Sequence, residues 1–478
     1  MSRMDFGALL ARKVIAPVWL RKDWKRTFSV LEGLEQTQFH TSEEIEKHQI
    51  DKLRRIVRYA NTYCPFYQER FAQTNLDVES AFPLEAFRRI PPLTKEEVRH
   101  HGARLTARGF PAEKLFPKQT GGSTSVPLQF YIDTDSNGRK NACTWRHNRW
   151  AGWDIGDKTA MVWGAMNFRS DWNTWLRNLL MYRSIALDTL RLDPEMMHAF
   201  ARQMQSFRPK VVFGHSHSVY ILAVFLQRYG YPTPSVNTVV STSTVLTETE
   251  RALIESVFQC EVFDRYGCEE VSLIASECER HTGLHLNSDH LLVEFLVDGR
   301  PAAPGECGEI HVTDLTNFAM PFIRYRVEDA GTPTDRLCPC GRGLPLMEKV
   351  QGRVADFIVT PEGRVIFGVS ILDNFTAKFT SLERVQIVQD RIDHLLFRIV
   401  RGEGFSEPSF TAFRAAIPEF FGPSMKSDFD FVDEIPRERS GKYRFTISHV
   451  PNPFEKAEER APAASAPEAI APIVRAGG

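Results

Sequence analysis

The sequence predicts an α/β protein: a large N-terminal α/β domain with a mostly parallel sheet, followed by a small C-terminal α+β domain. Two observations carry this. Between about residues 140 and 270, short apolar runs such as VVFGHS (211–216), NTVVSTST (237–244) and EVFDRYG (261–267) alternate with helical stretches such as TETERALIESVFQ. Strands that alternate with helices form crossover units and a parallel sheet. Residues 357 to 450 then read as hairpin FIVTPEGRVI, helix, strands VQIVQD and LLFRIV, helix, and strand SDFDFV. At 478 residues the chain also exceeds what one core serves.

Residues 43 to 72 read as helical, with Ile50, Leu53, Ile56, Val57 and Ala60 near a 3.6-residue period. Thr94 followed by Glu97 is a capping box that opens another helix. The run Pro127 to Ile132 reads as a strand after a glycine- and hydroxyl-rich loop, KQTGGSTSVP, which would sit between strands. Residues 285 to 332 are strand-rich. Residues 453 to 478 are rich in Ala, Pro and Glu and are expected to be disordered.

Composition bounds the function. Hydrophobic residues make up 42% and charged residues 25%, as in soluble globular proteins. A net charge of -1 with pI near 6.9 argues against a dedicated nucleic-acid binder. No apolar run is long enough to cross a bilayer, and Arg12 and Lys13 interrupt the N-terminus, so an export signal is not expected and the cytoplasm is. The N-terminal stretch is either an amphipathic surface helix or a helix packed on the body. Eight cysteines are sparse for a disulfide framework, which leaves thiols or a metal site. Cys278 and His281 with Cys338 and Cys340 would supply four soft ligands to Zn²⁺, with His285 as an alternative to His281. Reduced buried thiols are the competing reading.

In KQTGGSTSVP, Gly121 and Gly122 allow close backbone approach to a ligand, and Thr120, Ser123, Thr124 and Ser125 add hydroxyl donors suited to phosphate. The loop resembles the phosphate loop of the adenylate-forming enzymes, with Thr120, Gly122, Ser123, Thr124 and Pro127 in pattern; Gly121 stands where serine is usual and Ser125 where glycine is usual. Four further stretches resemble that superfamily in order. Tyr266-Gly267-Cys268-Glu269-Glu270 implies Tyr266 against adenine and Glu270 on Mg²⁺, with Glu269 where Ser or Thr is usual. IRYRVED (323–329) implies Asp329 on the ribose hydroxyls, with Glu328 where glycine is usual. GRVAD (352–356) implies Arg353 on the nucleotide and Asp356 as an interdomain hinge. PRERSGK (436–442) implies Lys442 as the lysine that drives adenylation. LRRIVRYANTYCPFYQERF and PLEAFRRIPPLTKEEVRHH resemble the phenylacetate–CoA ligase branch, and TGGST with TPEGRVI leans toward CapK-type members.

The resemblance implies a helical region at 1–100, an AMP-binding core at 101–355 and a lid domain at 356–452, with an acid pocket lined by 164–168, 213–217 and 241–244. It implies ATP-dependent conversion of a carboxylic acid to its acyl adenylate, then transfer to a thiol, above all that of coenzyme A. Transfer to an amine or a carrier-protein thiol stays open, as do a catalytically quiet assembly protein and a homodimer. Thr124 and Glu270 join Lys442 as the residues expected at the chemistry. His147, His215 and His217 are available as bases, with satisfied structural histidines as the alternative.

Overall fold

The computed structural model describes residues 5–450, except 20, 75, 120–127, 165–170, 190–192, 233–235, 244–245, 247, 298, 351–356, 368–370, 372–374, 380, 403 and 436–445. Its centre is a twelve-stranded sheet with two halves. In one half, Glu261–Cys268, Thr238–Thr242, Val211–His215, Thr159–Trp163 and Ser184–Asp188 lie side by side, all parallel. Helices Pro194–Phe207, Ser216–Arg228 and Glu248–Phe258 return the chain between strands. They bury Met197, Leu222 and Ile254 against Val162, Val212 and Val239. The opposite face receives Ala151 at the end of helix Thr134–Trp150, against Val240 and Phe263. Cover on both faces is what a parallel sheet requires, and it explains the near-continuous apolar strands.

The other half runs from Ser272–Glu277 to Arg300–Pro301 and is antiparallel throughout. The expectation of a mostly parallel sheet therefore holds for the first half alone. Between residues 272 and 350 no helix intervenes between strands among the described residues, and short connections join only antiparallel neighbours.

Over 43–72 the structure has two helices, Ser42–Tyr63 and Pro65–Thr74. Cys64 lies between them in an extended conformation (φ -109°, ψ 107°), as a residue before proline prefers. The capping box of Thr94 with Glu97 forms, and Thr41 with Glu44 makes another. These helices bury Leu53, Tyr67, Phe71 and Val98 against the antiparallel half.

Strands Leu115–Gln119 and Gln129–Asp133 pair as a hairpin whose register ends with Gln119 opposite Gln129. The glycine-rich loop thus lies between two strands, as its flanks imply. Asp133 fixes the outgoing stem by accepting from the Ser136 amide at 2.7 Å and the Phe318 amide at 2.8 Å.

The C-terminal segment builds a four-stranded sheet in the order Lys426–Phe431, His394–Arg401, Leu382–Arg391, Thr446–Ser448. Helix Glu407–Phe421 closes a core of its own, in which Phe375, Phe397, Phe413 and Phe421 meet edge-on or tilted. The hairpin Phe357–Val359/Val365–Phe367 lies where TPEGRVI predicts it.

Candidate nucleotide site and Cys/His cluster

Tyr266 lies near the end of strand Glu261–Cys268, and Asp329 lies in strand Tyr325–Thr334. Although 63 residues apart, they meet: the Tyr266 hydroxyl donates to Asp329 Oδ2 at 3.0 Å. Burial, then the Asp329 charge, pushes the Tyr266 hydroxyl well above its ordinary range, so it stays a donor. Gly267 follows because a Cβ there would stand 2.6 Å from the Ser272 carbonyl oxygen of the neighbouring strand.

Glu270 occupies the turn beyond and is buried. The Tyr325 hydroxyl donates to its Oε1 at 2.6 Å. Lys140 approaches from helix Thr134–Trp150, donating to the Glu270 carbonyl at 3.3 Å and pairing with Asp314 at 2.8 Å. Both partners of that ion pair are almost fully buried. The lysine and Asp314 give no signal in the sequence, because single charges in a helix and a strand carry no motif. Tyr325 sits inside IRYR, and its alternation with the buried Ile323 was the available signal.

Of the substituted motif positions, Glu269 and Glu328 lie among the described residues. Glu269 sets its carboxylate 3.9 Å from Lys118 in strand Leu115–Gln119. Glu328 has φ +70°, the left-handed region that accounts for glycine at this place, and pairs with Lys95 at 2.9 Å. Arg324 is structural: buried, it pairs with Glu294 at 2.9 Å and donates to the carbonyls of Arg88 and Ile90. Thr120, Gly121, Gly122, Ser123, Thr124, Arg353, Asp356 and Lys442 lie outside the described residues.

The expected acid pocket is described in part. His215 ends its strand with its ring 3.9 Å from that of Trp163 on the next strand, and burial pushes its imidazole down to about 4. Ser216 and Ser241 share a hydrogen bond of 2.6 Å across adjacent strand ends. His217 pairs with Glu250. His147 is fully buried against Trp150, and burial keeps it neutral.

The second cluster contains Cys278, His285, Cys338 and Cys340, whose ligand atoms all lie within 4.8 Å of one another. Cys278 Sγ is 3.6 Å from Cys338 Sγ, and Cys340 Sγ is 3.4 Å from His285 Nε2. Ligands about 2.3 Å from a tetrahedral Zn²⁺ stand about 3.7 Å apart, so the donor set and its size fit that ion. His285 Nδ1 faces the Leu344 carbonyl at 3.2 Å; a proton there leaves Nε2 as the acceptor, the usual orientation of a ligating imidazole. His281 is turned away. It sits in a left-handed turn (φ +49°) with Nδ1 3.1 Å from Glu277 and its ring against Phe263. The Cys-x-x-His spacing favoured His281, but the turn sends its ring to the other side, and strand Leu284–Leu286 delivers His285 instead.

The CapK C-terminal domain profile matches residues 358–449. Protein CapK of Staphylococcus aureus is 21% identical over 408 residues, covering 82% of this chain and 86% of its own. Phenylacetate-coenzyme A ligase of Escherichia coli (strain K12) is 25% identical over 369 residues, covering 74% and 81%. The crystal structure of 2-hydroxyisobutyryl-CoA ligase with 2-HIB-AMP and CoA in the thioesterification state superposes with a TM-score of 0.60 at 20% identity, over 87% of this chain and 91% of that one. The chain is thus similar to CapK and to phenylacetate-coenzyme A ligase along most of its length, carries a CapK C-terminal domain match at 358–449, and shares the fold of 2-hydroxyisobutyryl-CoA ligase.

Proposed function

We propose that the protein activates a carboxylic acid as its acyl adenylate at the expense of ATP and then transfers the acyl group to a thiol, that of coenzyme A. The observation that carries this reading is the Tyr266–Asp329 contact beside Glu270, which unites two sequence-distant motifs next to the stem of the glycine-rich loop. A carboxylate is a poor electrophile, because its charge repels nucleophiles and oxide leaves badly. Its oxygen attacks the α-phosphorus of ATP, the bond to the bridging oxygen breaks, and pyrophosphate leaves. The thiol sulfur then attacks the acyl carbon, and AMP departs with the oxygen it gained.

In this reading Asp329 exchanges its bond to Tyr266 for the ribose diol, since a carboxylate offers two acceptor oxygens. Tyr266 lies against the adenine, and Arg353 contacts nucleotide oxygens. Residues 120–124 hold the phosphates through amides and hydroxyls. Glu270, fixed by Tyr325, would hold Mg²⁺, which neutralises phosphate charge when bound. Lys442 places its ammonium between the acid and the α-phosphate. We assign 356–452 as a lid domain turning on Asp356, which admits the thiol in the second step. The test is acid-dependent ATP–pyrophosphate exchange over aryl, aliphatic and amino acids. Exchange with any of them supports adenylation; no exchange together with no ATP binding by calorimetry favours a quiet assembly protein.

We propose further that Cys278, His285, Cys338 and Cys340 hold one structural Zn²⁺, which ties the loop at 338–340 to the sheet. Elemental analysis of protein purified without added metal tests this. Absence of zinc, with four thiols titrating freely, leaves the reading of reduced buried thiols.

A further inference from the structure

Residues 6–19 form a continuous helical segment with its amphipathic order inverted. The small residues Ala8, Ala11 and Ala16 are buried against the body. The contact is close: a Cβ on Gly156 would stand 2.7 Å from Ala11 Cβ and 2.8 Å from the Ala8 carbonyl oxygen. Ion pairs lock the segment in place, Arg12 to Asp154 at 3.2 Å and Arg183 to Asp5 at 2.9 Å. The large side chains Phe6, Leu10, Val14 and Val18, at four-residue spacing, are the ones left in solvent, with Phe6 75% and Val18 63% exposed. One helical face carries residues so spaced.

A second helical stretch, residues 172–182, does the same beside it. Its Met181 is buried in a small core with Ala16 and Ile155, so the two stretches share a floor. Trp172, Trp175, Leu179 and Tyr182 point away from that floor, with Trp172 69% exposed. Two adjacent apolar stripes on rigid, ion-paired helices form a patch that a soluble monomer rarely leaves uncovered.

The chemistry of the patch favours one occupant. Tryptophan, tyrosine and aliphatic side chains together suit the headgroup–acyl boundary of a bilayer. Lys13 stands exposed between Leu10 and Val14, and the next helix, Arg21–Thr37, opens with the sequence RKDWKR. Residues 5–26 hold six Lys/Arg and two Asp in a chain whose net charge is -1. A second copy of the chain would carry the same basic excess in residues 5–26. An anionic membrane surface complements them, each nearby basic residue contributing to attraction within a Debye length. We infer that residues 6–19 and 172–182 are a peripheral docking face for an anionic lipid bilayer.

The test is cosedimentation of the full-length protein with phosphatidylglycerol–phosphatidylcholine vesicles and with pure phosphatidylcholine vesicles. Binding to the anionic vesicles is expected, weaker on the neutral ones and reduced by salt. Phe6→Ser, Leu10→Ser and Trp172→Ser should each weaken it about tenfold. Lys13→Glu should weaken binding to the anionic vesicles only, with the thermal unfolding temperature unchanged. Failure of the wild type to bind anionic vesicles overturns the inference, as does equal binding by the serine variants. A wild-type dimer in light scattering that the serine variants dissociate also overturns it, because the face would then join two copies.

Discussion

The Cys/His cluster and the tyrosine–carboxylate corner draw on the same sheet and differ in how well their groups answer one another. In the corner, each donor has an oxygen acceptor: Tyr266 finds Asp329 at 3.0 Å and Tyr325 finds Glu270 at 2.6 Å. Hydrogen bonds of this kind exchange at little net cost for bonds to a ligand's hydroxyls. In the cluster, Cys278 Sγ stands 3.6 Å from Cys338 Sγ and Cys340 Sγ 3.4 Å from His285 Nε2, and thiols are weak donors and weak acceptors. Their common partner would be a cation. A cluster closed on an ion belongs to folding, whereas a corner of exchangeable bonds belongs to binding.

The largest expected effect breaks the cluster. On the zinc proposal, Cys338→Ser or His285→Ala should abolish metal binding and lower the unfolding temperature sharply, because structural zinc contributes folding free energy directly, with a binding free energy of about 10–16 kcal/mol in small zinc domains. Metal content and calorimetry read this out, and His281→Ala should retain the metal. Loss of zinc in His281→Ala with retention in His285→Ala would reverse the ligand assignment.

On the binding side, Lys442→Ala should slow adenylation by ~10²–10³ while sparing transfer from a synthetic acyl adenylate. Asp356→Pro, which fixes the hinge φ, should do the reverse. Single-turnover measurement of the two half-reactions separates them; equal losses in both steps for both variants would rule out an alternating lid.

Asp329→Ala should weaken ATP binding by about 1.5–3 kcal/mol per lost charge-assisted bond, with unfolding temperature nearly unchanged. Unchanged ATP affinity in calorimetry would remove Asp329 from the nucleotide site.

The last effect concerns pH. Burial, then the charge of Glu277, pushes the Asp264 carboxyl from its ordinary 3.8 up to about 8. Between those values the folded state holds a proton that the unfolded state has lost, so stability falls as pH rises through the window, and the penalty is complete above it. Asp264→Asn should therefore unfold at a higher temperature than the wild type at about pH 9 and close to it at about pH 4, because no charge remains to bury. An equal difference at both pH values would mean that Asp264 ionises normally.

The parallel half of the sheet, the capping box at Thr94, the hairpin around the glycine-rich loop and the C-terminal α+β order were legible in the sequence, because each depends on neighbours a few residues apart. Tyr266, Glu270 and Asp329 stand out in the sequence as members of short ordered motifs. Their contact does not, since 63 residues separate Tyr266 from Asp329 and only strand packing joins them. Tertiary structure likewise decided that Lys140 and Asp314 form a buried pair beneath Glu270, and that Glu328 occupies left-handed backbone. It chose His285 over His281, because a turn's handedness determines where a ring points and spacing does not. It also left Phe6 and Trp172 in solvent while burying Ala8 and Ala16. A helical period says which residues share a face; which face meets the body depends on what the rest of the chain offers it.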